Sequence, residues 1–145
     1  MKRWILGITC GLGAMVGFLV VVGISASDKR ARSSMPVAEI LENLASAANS
    51  MKGEKVAANV IVSGATVDDG KRLTYIYRIP QLASGGVDEE LARKVAKKMK
   101  REVCRNRMMR QAVDGGAEFL YSYRNQRGQV VYEVEIDQAD CQKKT

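Results

Sequence analysis

Residues 60–80 read VIVSGATVDDGKRLTYIYRIP, and the reading of this stretch decides the fold. Val56 to Val67 is rich in β-branched residues, Asp69-Gly70 is a strong turn signal, and Leu73 to Ile79 resumes the strand pattern until Pro80 stops it. A two-residue loop at Asp69-Gly70 sets Thr66 opposite Leu73, Gly64 opposite Tyr75, Val62 opposite Tyr77 and Val60 opposite Ile79, all on one face. An in-strand glycine facing a tyrosine lets the ring cover bare backbone.

A second hairpin follows at the C-terminal end. Phe119 to Arg124 and Gln129 to Ile136 flank Asn125-Gln126-Arg127-Gly128, so that Tyr123 faces Val130, Tyr121 faces Tyr132 and Phe119 faces Val134. Tyr75-Ile76-Tyr77-Arg78 and Tyr121-Ser122-Tyr123-Arg124 share a pattern, but on opposite strands of their hairpins, so the chain is no clean duplication. The tyrosine side of each strand is the more apolar one, carrying Leu73, Ile79, Phe119, Val130, Val134 and Ile136, and is read as core. Arg78, Ser122, Arg124, Glu133 and Glu135 fall on the other, solvated side.

Each hairpin is preceded by a helix. Pro36 suits a first turn, and Val37, Ile40, Leu41, Leu44, Ala48 and Met51 recur at helical spacing before Gly53. Asp88 caps a longer helix that ends at Gly115-Gly116, with Ser84-Gly85-Gly86 as the loop before it. The expectation is an α+β domain at 36–145, helix-hairpin-helix-hairpin, with a four-stranded antiparallel sheet and two helices on one face.

Upstream, no side chain from Trp4 to Ala26 is charged. Twenty-three residues of helix reach roughly 34 Å, enough for a hydrocarbon core of about 30 Å. Residues 4–26 are therefore read as a transmembrane anchor or uncleaved signal, after a basic start at 1–3 and before a polar linker at 27–35. The run is longer than the apolar core of a cleaved signal peptide. Its glycines do not fit a dinucleotide loop, because no strand precedes them and Gly13 and Gly17 stand one residue too far apart. Gly7, Gly11, Gly13 and Gly17 instead pair at four-residue spacing, which suits close packing of two membrane helices and a homodimer.

The chain carries a net charge of +7 and contains no histidine. The latter removes histidine acid–base chemistry, Ser-His-Asp triads and the commonest zinc sites. No carboxylate spacing matches a calcium loop, so no catalytic, metal or cofactor residue is assigned. Cys104 and Cys141 are the two cysteines after the apolar run, and a disulfide between them argues for an oxidising compartment. On a straight helix Cys104 falls on the charged arc, so the bridge requires a bend near Glu102 or a C-terminal tail wrapped over the helix.

Residues 88–110 hold nine Lys/Arg against four Asp/Glu. Leu91, Ala92, Val95, Ala96, Met99 and Val103 occupy one arc, and Arg93, Lys94, Lys97, Lys98, Lys100, Arg101 and Arg105 the other. That cationic arc is the candidate partner-binding face, for a protein with an acidic surface. The function expected is a non-catalytic, membrane-anchored accessory or assembly component of a bacterial envelope complex, its domain facing the periplasm from the inner membrane. An inhibitor or immunity-type protein is the nearest alternative. A cytosol-facing binder of nucleic acid or anionic lipid, using helix 88–110, is the alternative of another class, with nucleic acid the less favoured partner.

Overall fold

The computed structural model describes residues 35–81 and 87–142. The apolar segment 4–26 with Gly7, Gly11, Gly13 and Gly17, the basic start, and all but the last residue of the linker lie outside the described residues. Among the described residues no helix is long and apolar enough to cross a membrane.

The chain forms α1 (Val37–Ser50), β1 (Lys55–Ala57), β2 (Val60–Asp68), β3 (Arg72–Arg78), α2 (Glu89–Arg105), α3 (Arg107–Asp114), β4 (Glu118–Arg124), β5 (Val130–Ile136) and α4 (Gln138–Gln142). The strands make one sheet in the order β1-β2-β3-β4-β5. The α+β class holds, but the sheet has five strands rather than four and is mixed rather than antiparallel. The segment read as one strand from Val56 breaks at Ala58-Asn59 and folds back, which adds β1. The central pair β3 and β4 is parallel, because the α2–α3 crossover returns the chain to the end of the sheet from which β3 started.

The first hairpin also differs in register. Asp69 and Gly70 both take left-handed backbone angles, φ 51° and 63°, and the Lys71 amide donates to the Asp68 carbonyl at 3.0 Å. The loop is thus three residues long, so Val67 faces Leu73 and Ala65 faces Tyr75. A bulge between Val62 and Gly64 then realigns the strands, and Val62 meets Tyr77 as expected. The consequence is that Val60, Val62 and Ala65 are all buried, while Thr66 is exposed. At the bulge Gly64 has φ +138°, and the side chain of Asn49 fills the space above it. Asn49 donates to the Ala65 carbonyl at 3.0 Å and accepts from the Ala65 amide at 2.8 Å. A side-chain amide thereby pairs with the strand as another peptide would, and it fixes the end of α1 on the sheet.

In the second hairpin the pairing is shifted by two residues. Tyr123 faces Tyr132, Tyr121 faces Val134 and Phe119 faces Ile136, with the bulge beside Arg124. An even shift leaves Tyr132, Val134 and Ile136 on the core face, but the bulge turns Val130, expected there, away to pair with Arg124, where it is 51% exposed. The cause is a longer loop, in which Asn125 Oδ1 accepts from the amides of Arg127 and Gln129 at 2.9 and 3.0 Å.

The long helix is two helices. Asn106 ends α2 and caps α3, its Oδ1 accepting from the Met108 and Met109 amides, each at 3.0 Å. Asp88 caps α2 as expected, accepting from the Leu91 amide at 3.2 Å. The break lies four residues beyond Glu102 and lets Met109, Ala112 and Val113 turn into the core. With α4 there are four helices rather than two. The core sits between α1, α2, α3 and the tyrosine side of the sheet, with Ile40, Leu41, Leu73, Val103, Phe119 and Ile136 at its centre.

Candidate functional site: a tyrosine-floored groove

The in-register parallel pairing of β3 and β4 sets Tyr75 beside Tyr121 and Tyr77 beside Tyr123. Ring centroids lie 5.1 and 5.2 Å apart in these pairs, and Tyr132 continues the row at 6.0 Å from Tyr123. The spacing of adjacent strands at about 4.8 Å makes such stacking nearly automatic when aromatic residues share a register.

The last two rings at one end of this row are satisfied from within the fold. Tyr123 donates to Met99 Sδ at 3.5 Å and Tyr132 to the Ala92 carbonyl at 2.6 Å. The hydroxyls of Tyr75, Tyr77 and Tyr121 find no hydrogen-bond partner among the described residues. They line a groove of about 90 Å³ between the C-terminal halves of α1 and α2. Leu44, Ala47, Ala48 and Met51 form its α1 wall, Met99, Glu102 and Val103 its α2 wall, and Val56 and Val62 close the β side. The groove holds several times the space one water needs. Alanines at 47 and 48 keep the α1 wall low; leucines there would close it.

Burial governs the electrostatics of the floor. Desolvation raises the Tyr77 phenol to about 12. It drives Tyr75, Tyr121 and Tyr123 up as well, with the neighbouring rings adding to the effect. The floor is therefore neutral at physiological pH and offers hydroxyl dipoles, not charge.

The cationic residues fall into three groups. Arg93 and Lys94 lie 3.9 and 2.7 Å from Glu89 and Glu90 one turn back. Lys100 turns to α4 and bonds Asp140 at 2.7 Å. Lys97, Lys98, Arg101 and Arg105 make no ion pair among the described residues. Lys98 and Arg105 share a helical stripe with Glu102, one turn to either side, and so rim the α2 wall. Leu91, 49% exposed, begins the same stripe.

Cys104 and Cys141 are bridged, with Cα atoms 5.3 Å apart. The C-terminal tail wraps the outer side of α2 as α4, held by the Lys100–Asp140 pair and by Arg110 donating to the Cys141 carbonyl at 3.2 Å. Of the two routes open to the bridge, the wrapped tail is the one taken. The break at Asn106 lies beyond Cys104. Among the described residues no cluster of three or more His, Cys, Asp or Glu could hold a metal ion.

Sequence reasoning found the tyrosine face but took it as core throughout.

No family model matches the chain, and no curated protein matches it in sequence. Solved structures do share the fold. The type 2 secretion system pilotin EpsS of Vibrio vulnificus superposes with a TM-score of 0.58 at 15% identity, over 74% of this chain and 94% of the pilotin. The type II secretion system pilotin AspS of Vibrio cholerae gives 0.53 at 18% identity, over 72% and 92%. A protein from Pseudomonas aeruginosa gives 0.58 at 20% identity, over 73% and 93%. The chain thus shares a fold with these proteins over 72–74% of its own length and 92–94% of theirs.

Proposed function

We propose that the chain is a non-catalytic assembly component of a bacterial envelope complex, a pilotin-like module that holds a segment of a protein partner in the α1/α2 groove. The observation that carries this reading is the groove itself: apolar walls and, in its floor, three tyrosine hydroxyls without a partner among the described residues. A gap between two helices suits a third, amphipathic helix with its apolar face on the tyrosines. Lys98, Arg101 and Arg105 beside the α2 wall favour a partner helix with acidic side chains on that flank. The likeness to pilotins of type II secretion supports the class of assembly.

The same reading takes residues 4–26 as the tether to the inner membrane, with the glycine spacing at 7, 11, 13 and 17 available for pairing tethers. The domain then faces the periplasm, where the Cys104–Cys141 bridge persists.

The test is a photo-crosslinking residue at Ala47, in the groove wall, against the same residue at exposed Thr66. In intact cells the Ala47 probe captures a component of an envelope secretion assembly, and the Thr66 probe does not. Changing Lys98 and Arg105 to Glu abolishes the adduct. Equal capture from both positions, or an adduct indifferent to the charge reversal, overturns the reading.

A further inference from the structure

The repeated Tyr-x-Tyr-Arg pattern has a second outcome on the other face of the sheet. Because β3 and β4 pair in parallel register, Arg78 and Arg124 are direct neighbours. The alternation that sends the tyrosines to the core sends both arginines to the opposite face, which no helix covers among the described residues. Adjacent strands bring their backbones to about 4.8 Å, and like charges directly opposite one another are unfavourable. Among the described residues neither arginine has an ion pair.

The acids of this face are engaged elsewhere. Glu118 accepts from Arg72 Nε at 2.8 Å, Glu135 lies 3.8 Å from the same guanidinium, and Glu133 accepts from Ser122 Oγ at 2.9 Å. Ser122, expected to be solvated, is only 1% exposed. The Arg124 Nε atom is enclosed and meets no acceptor, which leaves the Nη end of that guanidinium as its available donor group.

We propose that Arg78 and Arg124 together bind a phosphate oxyanion. Two planar guanidinium forks side by side offer paired N–H donors to a tetrahedral anion, and the anion relieves their mutual repulsion. The flanks of the site are aliphatic. In register across the sheet the row reads Ile61, Arg78, Arg124, Val130, and Val130 is 51% exposed. Aliphatic side chains on both sides of a phosphate site suit a phospholipid headgroup; inorganic phosphate uses only the two arginines.

The test follows the arginine Nε–Hε resonances of the full chain, held in dodecyl maltoside micelles. Inorganic phosphate is titrated in one series and phosphatidylglycerol, doped into the micelles, in another. The Arg78 and Arg124 signals shift together and saturably, and Arg78→Gln weakens the response about tenfold with the tyrosine-strand amides unmoved. Arg124→Lys, which keeps the charge and loses the fork, weakens it as well. A response to phosphatidylglycerol at lower concentration, with Val130 methyl shifts, identifies the lipid headgroup as the source. A response to phosphate without that preference identifies the free anion. No saturable shift in either series, shifts that survive Arg78→Gln, or shifts centred on Lys97 and Arg101 instead would overturn the assignment.

Discussion

Asn49 shows how one side chain can set the geometry of a site. Its amide makes both hydrogen bonds that a neighbouring strand would make to Ala65, and the Gly64 bulge leaves the room for it. Asn49→Ala removes both partners from the backbone of a buried residue, so a loss of about 1–3 kcal/mol is expected in urea unfolding. Gly64→Ala should cost at least as much. Its φ of +138° disfavours any side chain, and a Cβ would stand 2.8 Å from Asn49 Oδ1. The pair is coupled, so the double variant should lose less than the sum, which a double-mutant cycle reads directly. The bulge was not legible: alternation in VIVSGATV puts Val60, Val62, Gly64 and Thr66 on one face, whereas the buried residues fall at 60, 62 and 65, a spacing that one unbulged strand cannot produce. What the chain does not spell out locally is which helix residue fills the gap, because Asn49 is sixteen positions away.

Among the elements, the two helices that replace one long helix matter most. The Asn106 side chain caps two amides of α3 at the point where the chain changes direction. Asn106→Ala should cost about 1–2 kcal/mol, while Asn106→Asp, which keeps the acceptor, should cost much less; urea midpoints of the two variants make the comparison. Asn106 is a capping residue in plain view, yet one helix was expected to run to Gly115-Gly116, with a bend near Glu102 only as one route to the disulfide. The parallel pairing of β3 and β4 was not foreseen, since a hairpin pattern fixes partners only within each hairpin. Side-by-side placement of the two hairpins depends on the crossover packing over the sheet, which no local spacing encodes. Yet the twin Tyr-x-Tyr-Arg segments were a clue: four residues of matching character sit in register over the full repeat.

For the whole molecule, the tyrosine row predicts a particular alkaline limit. An unfolded phenol ionises near pH 10, while burial holds folded Tyr77 neutral to about 12 and raises Tyr75, Tyr121 and Tyr123 as well. The folded state therefore binds more protons than the unfolded one above pH 10. Stability that is complete below that pH falls as pH rises through the folded value. Circular dichroism should show unfolding in this window, with phenol ionisation at 295 nm appearing together with loss of structure rather than before it. The groove as a whole was invisible in the sequence because it arises from what is missing, namely bulk on α1 and direct packing between α1 and α2. The charged face of α2 was legible from helical spacing alone, although Lys100 turned out to be held by Asp140 from the far end of the chain.

The Cys104–Cys141 bridge also determines how the molecule would answer a pull. Its two ends are separated by 37 positions that include α3, β4 and β5. With the bond closed, tension applied between the N- and C-termini passes from sulfur to sulfur and bypasses that entire segment. Forced extension of the oxidised chain should therefore release a contour shorter by roughly 120–130 Å than that of the reduced chain, since the 37 bypassed positions span at most about 3.3–3.6 Å each. An optical trap reads this difference as a single step. Two strands of the sheet, three of the five stacked tyrosines and one arginine of the anion site lie inside the shielded loop, so they can be unseated by heat or denaturant but not drawn out by traction on the chain ends.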